Sequence, residues 1–235
     1  RSPVPPWDLP LVLHGLTGPP FEPLDEADLM FLTQKVVFLV AICSGRRVSE
    51  LGALLSVSPF IRFFPDKVVL RTNAAFLPKV ASVFHRDEDI VLPVFYPLPS
   101  TQVERGLHTL DLHRALSIYL SRTASFRKCD ALFVTFGVAT KGSKPSSSTL
   151  SRWIKSVILK CYNLSDVPVP LQVQARSTRG LSASWASFKG ASLKDICCAA
   201  TWKSPHTFLS HYRVQLGEGF SSAFADSVLS AVSVA

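Results

Sequence analysis

No apolar run in this 235-residue chain approaches the ~20 residues needed to cross a bilayer. The longest, Val36–Cys43, is preceded directly by Gln34 and Lys35, so no membrane partner is expected. Nothing near the start reads as a signal peptide. The chain opens on Arg1 rather than Met, which leads us to expect a fragment of something longer. The five cysteines (Cys43, Cys129, Cys161, Cys197, Cys198) form no CxxC pair and no metal-ligand spacing with histidine. Scattered through apolar stretches, they read as reduced, buried thiols, with Cys197 and Cys198 on a helix facing the core. Acidic residues are also scarce, 17 against 25 Lys and Arg, for a net charge of +8. That excess favours a polyanionic partner, of which nucleic acid is the commonest, with mere solubility as the alternative.

What is present suffices for one large domain or two small ones. Hydrophobic residues make up 47% of the chain, which excludes wholesale disorder. No internal repeat stands out. A Pro-rich start (1–23) carries a short amphipathic piece over Trp7–Leu16. Helical spacing then runs from about Asp25 to Val40, pauses at Ser44-Gly45, and resumes over Arg46–Leu55. Phe60–Asn73 shifts to strand character around the turn pair Pro65-Asp66, and further strands are expected at Phe76–Val80 and Ile90–Phe95. Leu98–Gly106 reads as a loop, Leu110–Ser121 as a helix, and Ala131–Phe136 as a strand or loop packed on the core. Beyond the basic loop Thr140–Ser148, helices are expected over Thr149–Tyr162, Gly180–Lys189 and Leu193–Ala200, with a Pro-rich linker at Val167–Leu171. Phe220, Phe224, Val228 and Val232 recur every four residues, giving a final apolar stripe that could fold back or dock on a neighbouring subunit. The fold class is α+β, mostly helical, with a small antiparallel sheet.

One stretch concentrates chemistry. Arg176 and Arg179 lie three residues apart at the start of a helix, where free N–H groups add to an anion site. The planar guanidinium fork suits two phosphate oxygens at once. Trp202, His206 and Tyr212 follow. On these residues alone a solvated basic patch is the better explanation. The balance changes with Ser44–Leu51, SGRRVSEL, far upstream.

Taken together, these segments resemble the tyrosine recombinases, the phage integrase family of DNA-cutting and rejoining enzymes. SGRRVSEL is similar to that family's first box, placing the first catalytic arginine on Arg47 and a packing acid on Glu50. RSTR is similar to the second box, with Arg176 where a histidine is usual and Arg179 as the second arginine. The His-or-Trp element falls on Trp202, the nucleophile on Tyr212, and the hairpin lysine on Lys79 in AFLPKV. Tyr212 comes ten residues after Trp202, one more than the family's usual gap, which makes His206 the alternative to Trp202. The phrases WDLPLVLHGL, PFEPL, IVLP, RSTRGLSASWA and ATWKSPHTFLSHYR resemble the recombinases of DIRS-type retrotransposons.

The resemblance implies the tyrosine recombinase catalytic-domain fold, with a linker or domain start over 1–23, the catalytic domain over 24–216, and a C-terminal helix over 217–235 that could be exchanged between subunits. It implies cleavage and rejoining of double-stranded DNA without metal, cofactor or small-molecule ligand. A homo-oligomer, a tetramer, would assemble on DNA, in the nucleus or in the cytoplasm before integration. Arg176 cannot accept a proton at neutral pH, so a general-base role there is lost while phosphate binding is retained. The alternative is a decayed or co-opted copy that only binds DNA. A monomeric type IB topoisomerase-like enzyme would share the site logic.

Overall fold

Helix α2 (Leu29–Ser44) runs through the middle of the protein, and nearly every side chain from Leu32 to Ile42 is buried. A helix apolar all round has to be covered on every side. The computed structural model describes residues 5–77 and 89–214, and over these α2 is flanked by α5, α6, α7 and a sheet. The Asp28 carboxylate caps its start, accepting from Met30 N at 2.7 Å.

Among the described residues the sheet has three antiparallel strands in sequence order: β1 (Ile61–Phe64), β2 (Lys67–Leu70) and β3 (Ile90–Pro93). Pro65-Asp66 closes the β1–β2 hairpin, pairing Phe64 with Lys67 and Ile61 with Leu70, as the turn pair predicts. Val68, Leu70, Ile90 and Leu92 form its buried side, against α2 and α5 (Leu112–Thr123). The long helix α6 (Ser147–Leu164) buries Leu150, Trp153, Ile154, Val157, Ile158 and Cys161, a stripe at the 3.6-residue period.

The N-terminal segment belongs to the same core. Helix α1 (Leu9–Gly15) packs on α6, and Trp7, Val12, Leu16, Phe21 and Leu24 are buried. Gly15 approaches so closely that a Cβ there would lie 2.8 Å from Cys161. Lys35 Nζ, sealed from solvent inside α2, donates to Leu16 O (2.8 Å) and to Glu22 Oε1 (2.6 Å). Arg114 holds the same carboxylate with Nη1 and Nη2, each donating at 3.1 Å.

Several expectations need correction. The helix expected over Arg46–Leu55 shrinks to α3 (Val48–Leu51), because Leu54 and Leu55 turn extended to bridge Thr72 and Ala131. The loop expected at Leu98–Gly106 contains most of α4 (Gln102–His108). Its start is a capping box, in which Thr101 Oγ1 accepts from Glu104 N while Glu104 Oε2 accepts from Thr101 N. Phe76 and Leu77 form no strand, and the rest of that expected strand lies outside the described residues, as does the C-terminal stripe. Only Cys161 is fully buried. Cys43, near the end of α2, is exposed, and so is Cys198, since α8 (Leu193–Ala199) is short and buries Ile196 alone.

Candidate active site

Gly45 ends α2 in the left-handed conformation (φ 62°), its N–H closing on Ala41 O at 3.2 Å. This turn lets Arg46 and Arg47 leave the helix directly beside α7 (Ser177–Phe188) and the end of α8. One turn later stands Glu50, which organises the cations around it. Glu50 Oε2 accepts from Arg47 N at 2.7 Å and lies 3.8 Å from both Arg47 Nη1 and Arg179 Nη1. Its Oε1 lies 3.7 Å from Arg46 Nη1. Glu50, Arg46 and Arg179 are buried, while Arg47 keeps 29% of its side chain exposed. One carboxylate among three guanidinium groups leaves an excess of positive charge.

Arg176 occupies the N-cap of α7 and is exposed; Arg179, one turn into the helix, is buried. Arg179 Nη2 donates to Ala200 O, but Nε and Nη1 make no hydrogen bond among the described residues. Burial and the neighbouring Arg47 charge push the Arg179 guanidinium down to about 10, and Glu50 opposes the shift. It therefore stays a cation at neutral pH.

Tyr212 follows α9 (Pro205–His211), a helix the apolar pattern missed although Ser204-Pro205 is a start signal. Its ring lies 4.7 Å from that of Trp202, and the Arg179 guanidinium sits 4.8 Å from the Trp202 ring, a cation–π contact. Phe208 stacks on the same indole at 5.7 Å. The opposite wall is Gly180, where a Cβ would come within 3.3 Å of Tyr212 Cδ1. Ser184 Oγ fixes the chain beyond, accepting from Val214 N at 3.0 Å and donating to Gly180 O at 2.8 Å.

Arg47, Arg176, Arg179 and Tyr212 thus line one cleft of about 740 Å³. Trp202 and Glu50 stand behind it. His206 is exposed and faces Ser210, with the hydroxyl 3.3 Å from Nδ1. Lys79 lies outside the described residues. Two contributors went unnoticed in the sequence. Arg46 is buried on the Glu50 carboxylate. Thr201 places its hydroxyl 3.4 Å from both Arg47 Nη1 and Glu50 Oε1 while holding a positive φ of 52°. That backbone conformation is rare for a β-branched residue and concentrates at functional sites. Among the described residues no cluster of three or more His, Cys, Asp or Glu could hold a metal ion, and no helix is long and apolar enough to cross a membrane.

This architecture, a mostly helical body with one small antiparallel sheet, is the fold of the tyrosine recombinase catalytic domain. Solved structures that share it include two recombinases. The XerA recombinase superposes with a TM-score of 0.58 at 15% identity, over 98% of this chain and 64% of that one. The XerH site-specific recombinase, bound to a palindromic difH substrate in a post-cleavage complex, gives a TM-score of 0.58 at 12% identity, over 99% of this chain and 54% of that one. The chain thus spans between half and two thirds of the length of these recombinases. No protein-family model and no curated protein matches the sequence.

Proposed function

We propose that the protein cleaves and rejoins DNA strands through a 3′-phosphotyrosine on Tyr212. The observation that carries this reading is Arg179. It is a buried guanidinium whose Nε and Nη1 make no hydrogen bond among the described residues, Nη1 having only the Glu50 carboxylate at 3.8 Å, and it lines the cleft that Arg47 and Tyr212 share. Buried donors of this kind call for a polar partner, and a phosphodiester offers two non-bridging oxygens. Tyr212 Oη gives up its proton to water and attacks the phosphorus, the bond to the 5′-oxygen breaks, and the leaving 5′-oxygen takes a proton from Lys79 to become a hydroxyl. Arg47 and Arg179 stabilise the charge that builds on the non-bridging oxygens, and loss of either should cost roughly 3 kcal/mol of barrier. Trp202 packs between the second arginine and the nucleophile. The retained bond energy lets another 5′-hydroxyl reverse the step, so strands are exchanged without ATP.

The resemblance of the sequence supports a finer reading. Double-stranded DNA is the substrate, a homo-tetramer assembles on it, and the reaction integrates a DIRS-like retroelement in the nucleus. Residues 24–216 would be the catalytic domain, and 217–235 a helix exchanged between subunits. Arg176 favours a second reading, a DNA-binding protein without chemistry, because it cannot take the tyrosine proton.

A nicked suicide DNA substrate separates the two. A covalent adduct on a denaturing gel, lost in Tyr212→Phe, is expected from an active enzyme. Its absence from the intact protein, together with its appearance in Arg176→His, would establish the binding-only reading. An adduct surviving Tyr212→Phe would reject the nucleophile.

A further inference from the structure

The WDLPLVLHGL segment has no part in the chemistry above, yet its first residue reaches the site. Trp7 is 2% exposed, packs against Phe38 of α2 with ring centroids 6.0 Å apart, and donates its indole N–H to Ser177 Oγ at 2.7 Å. Ser177 is the first residue of α7 and lies between Arg176 and Arg179. Its hydroxyl donates in turn to Gln174 O, and its own N–H closes on the same carbonyl at 3.0 Å. The hydroxyl's proton is thus directed at Gln174 O, and one of its lone pairs takes the indole N–H. The next residue anchors the segment independently, as Asp8 N donates to Tyr162 Oη at 2.7 Å and the Asp8 carboxylate caps α1 by accepting from Leu11 N at 3.1 Å. Pro6 forms part of the cleft wall.

We infer that Trp7 is a positioning residue: a strut from the N-terminal segment that fixes the first turn of α7, and with it the two arginines aimed at the phosphate. The geometry favours this over simple core filling. Phe38 would pack equally against a phenyl ring, whereas only the indole supplies a donor, and that donor goes to the hinge of the anion-binding turn. Guanidinium groups clamp a phosphate only in register, and misplacement by about 1 Å can cost up to ~100-fold in rate.

The effect on rate rests on the function proposed above; the effect on α7 does not, so both are measured. Trp7→Phe keeps the ring and removes the donor, Ser177→Ala removes the acceptor, and Ser177→Thr retains it. Amide hydrogen exchange over 178–181 should quicken about tenfold in Trp7→Phe and in Ser177→Ala, but not in Ser177→Thr. Adduct formation at saturating suicide substrate should slow about tenfold in the same two variants, with DNA affinity unchanged, and the double variant should be no slower than either single one. A purely structural Trp7 would lower the melting temperature while leaving the rate of the folded enzyme intact. Unchanged exchange overturns the strut. Quickened exchange with an unchanged rate, or additive losses in the double variant, overturns its role in positioning. If the unsubstituted protein forms no adduct, the proposed function fails and exchange alone decides about the strut.

Discussion

Glu50 Oε2 lies 3.8 Å from Arg179 Nη1, and both side chains are about 95% sealed from solvent. This buried pair joins the two halves of the cleft, one from the turn after α2 and one from α7. Glu50→Gln keeps the shape and removes the negative charge that faces the buried Arg179. Breaking such a pair should destabilise the fold by about 3–5 kcal/mol in urea unfolding. Added sulfate should restore more stability to this variant than to the unsubstituted protein, because an anion can take the carboxylate's place. An unchanged unfolding midpoint would contradict the organising role.

Gly180 offers a test in which stability and activity part. In Gly180→Ala the new methyl meets both Cδ1 and the backbone oxygen of Tyr212 at 3.3 Å, so Tyr212, ring and backbone together, must shift by a few tenths of an ångström. Alanine favours an α-helix over glycine by about 1 kcal/mol. The melting temperature should hold or rise while the single-turnover cleavage rate drops about tenfold. Parallel losses of both would show that the tyrosine is not what the glycine accommodates.

Arg176→His should supply a proton acceptor at the start of α7. Cleavage by this variant should rise with pH through a transition near about 6.5, the ordinary histidine value. The unsubstituted protein has arginine there and should lack that inflection. Identical pH–rate profiles would mean that position 176 takes no part in proton transfer.

Lys35 provides a prediction away from the cleft. Burial pushes its ammonium down to about 8 from an ordinary 10.5, with Glu22 opposing the shift and Arg114 adding to it. Between these values the unfolded chain holds a proton that the folded protein has released, so stability should rise with pH. Burial raises the neighbouring Cys161 thiol to about 12, which works in the opposite direction once unfolded thiols begin to titrate near 9. Measured between pH 8 and 9, the upward slope should be present in the native sequence and flatter in Lys35→Met, in which Arg114 still holds Glu22. Equal slopes would assign the effect elsewhere.

Residues close together in the chain carried most of what was legible in the sequence. SGRRVSEL marks a helix ending at Gly45 with a carboxylate one turn beyond, and RSTR marks the start of α7. Both are local patterns, and the structure brings Arg47, Arg176, Arg179 and Tyr212 to one cleft. Partners brought in over long separations left no such trace. Nothing in the order of residues says that the Thr201 hydroxyl stands between Arg47 and Glu50, 154 and 151 positions away. Trp7 and Ser177 meet across 170 positions, which no periodicity records. The helices α4 and α9 were missed for a different reason. Both are short, with weak apolar spacing, and their signal is in the caps: Thr101 with Glu104, and Ser204 before Pro205.

The hydrogen bond from Arg47 to Thr201 spans 154 residues, most of the described chain. Closing so long a loop gains nothing until the intervening helices are in place. During synthesis, at about 5–20 residues per second, Arg47 emerges long before Thr201 and Tyr212 exist. The nascent chain therefore carries Arg46, Arg47 and Glu50 well before Arg179 and Tyr212, and the cleft becomes complete only once translation has passed α9.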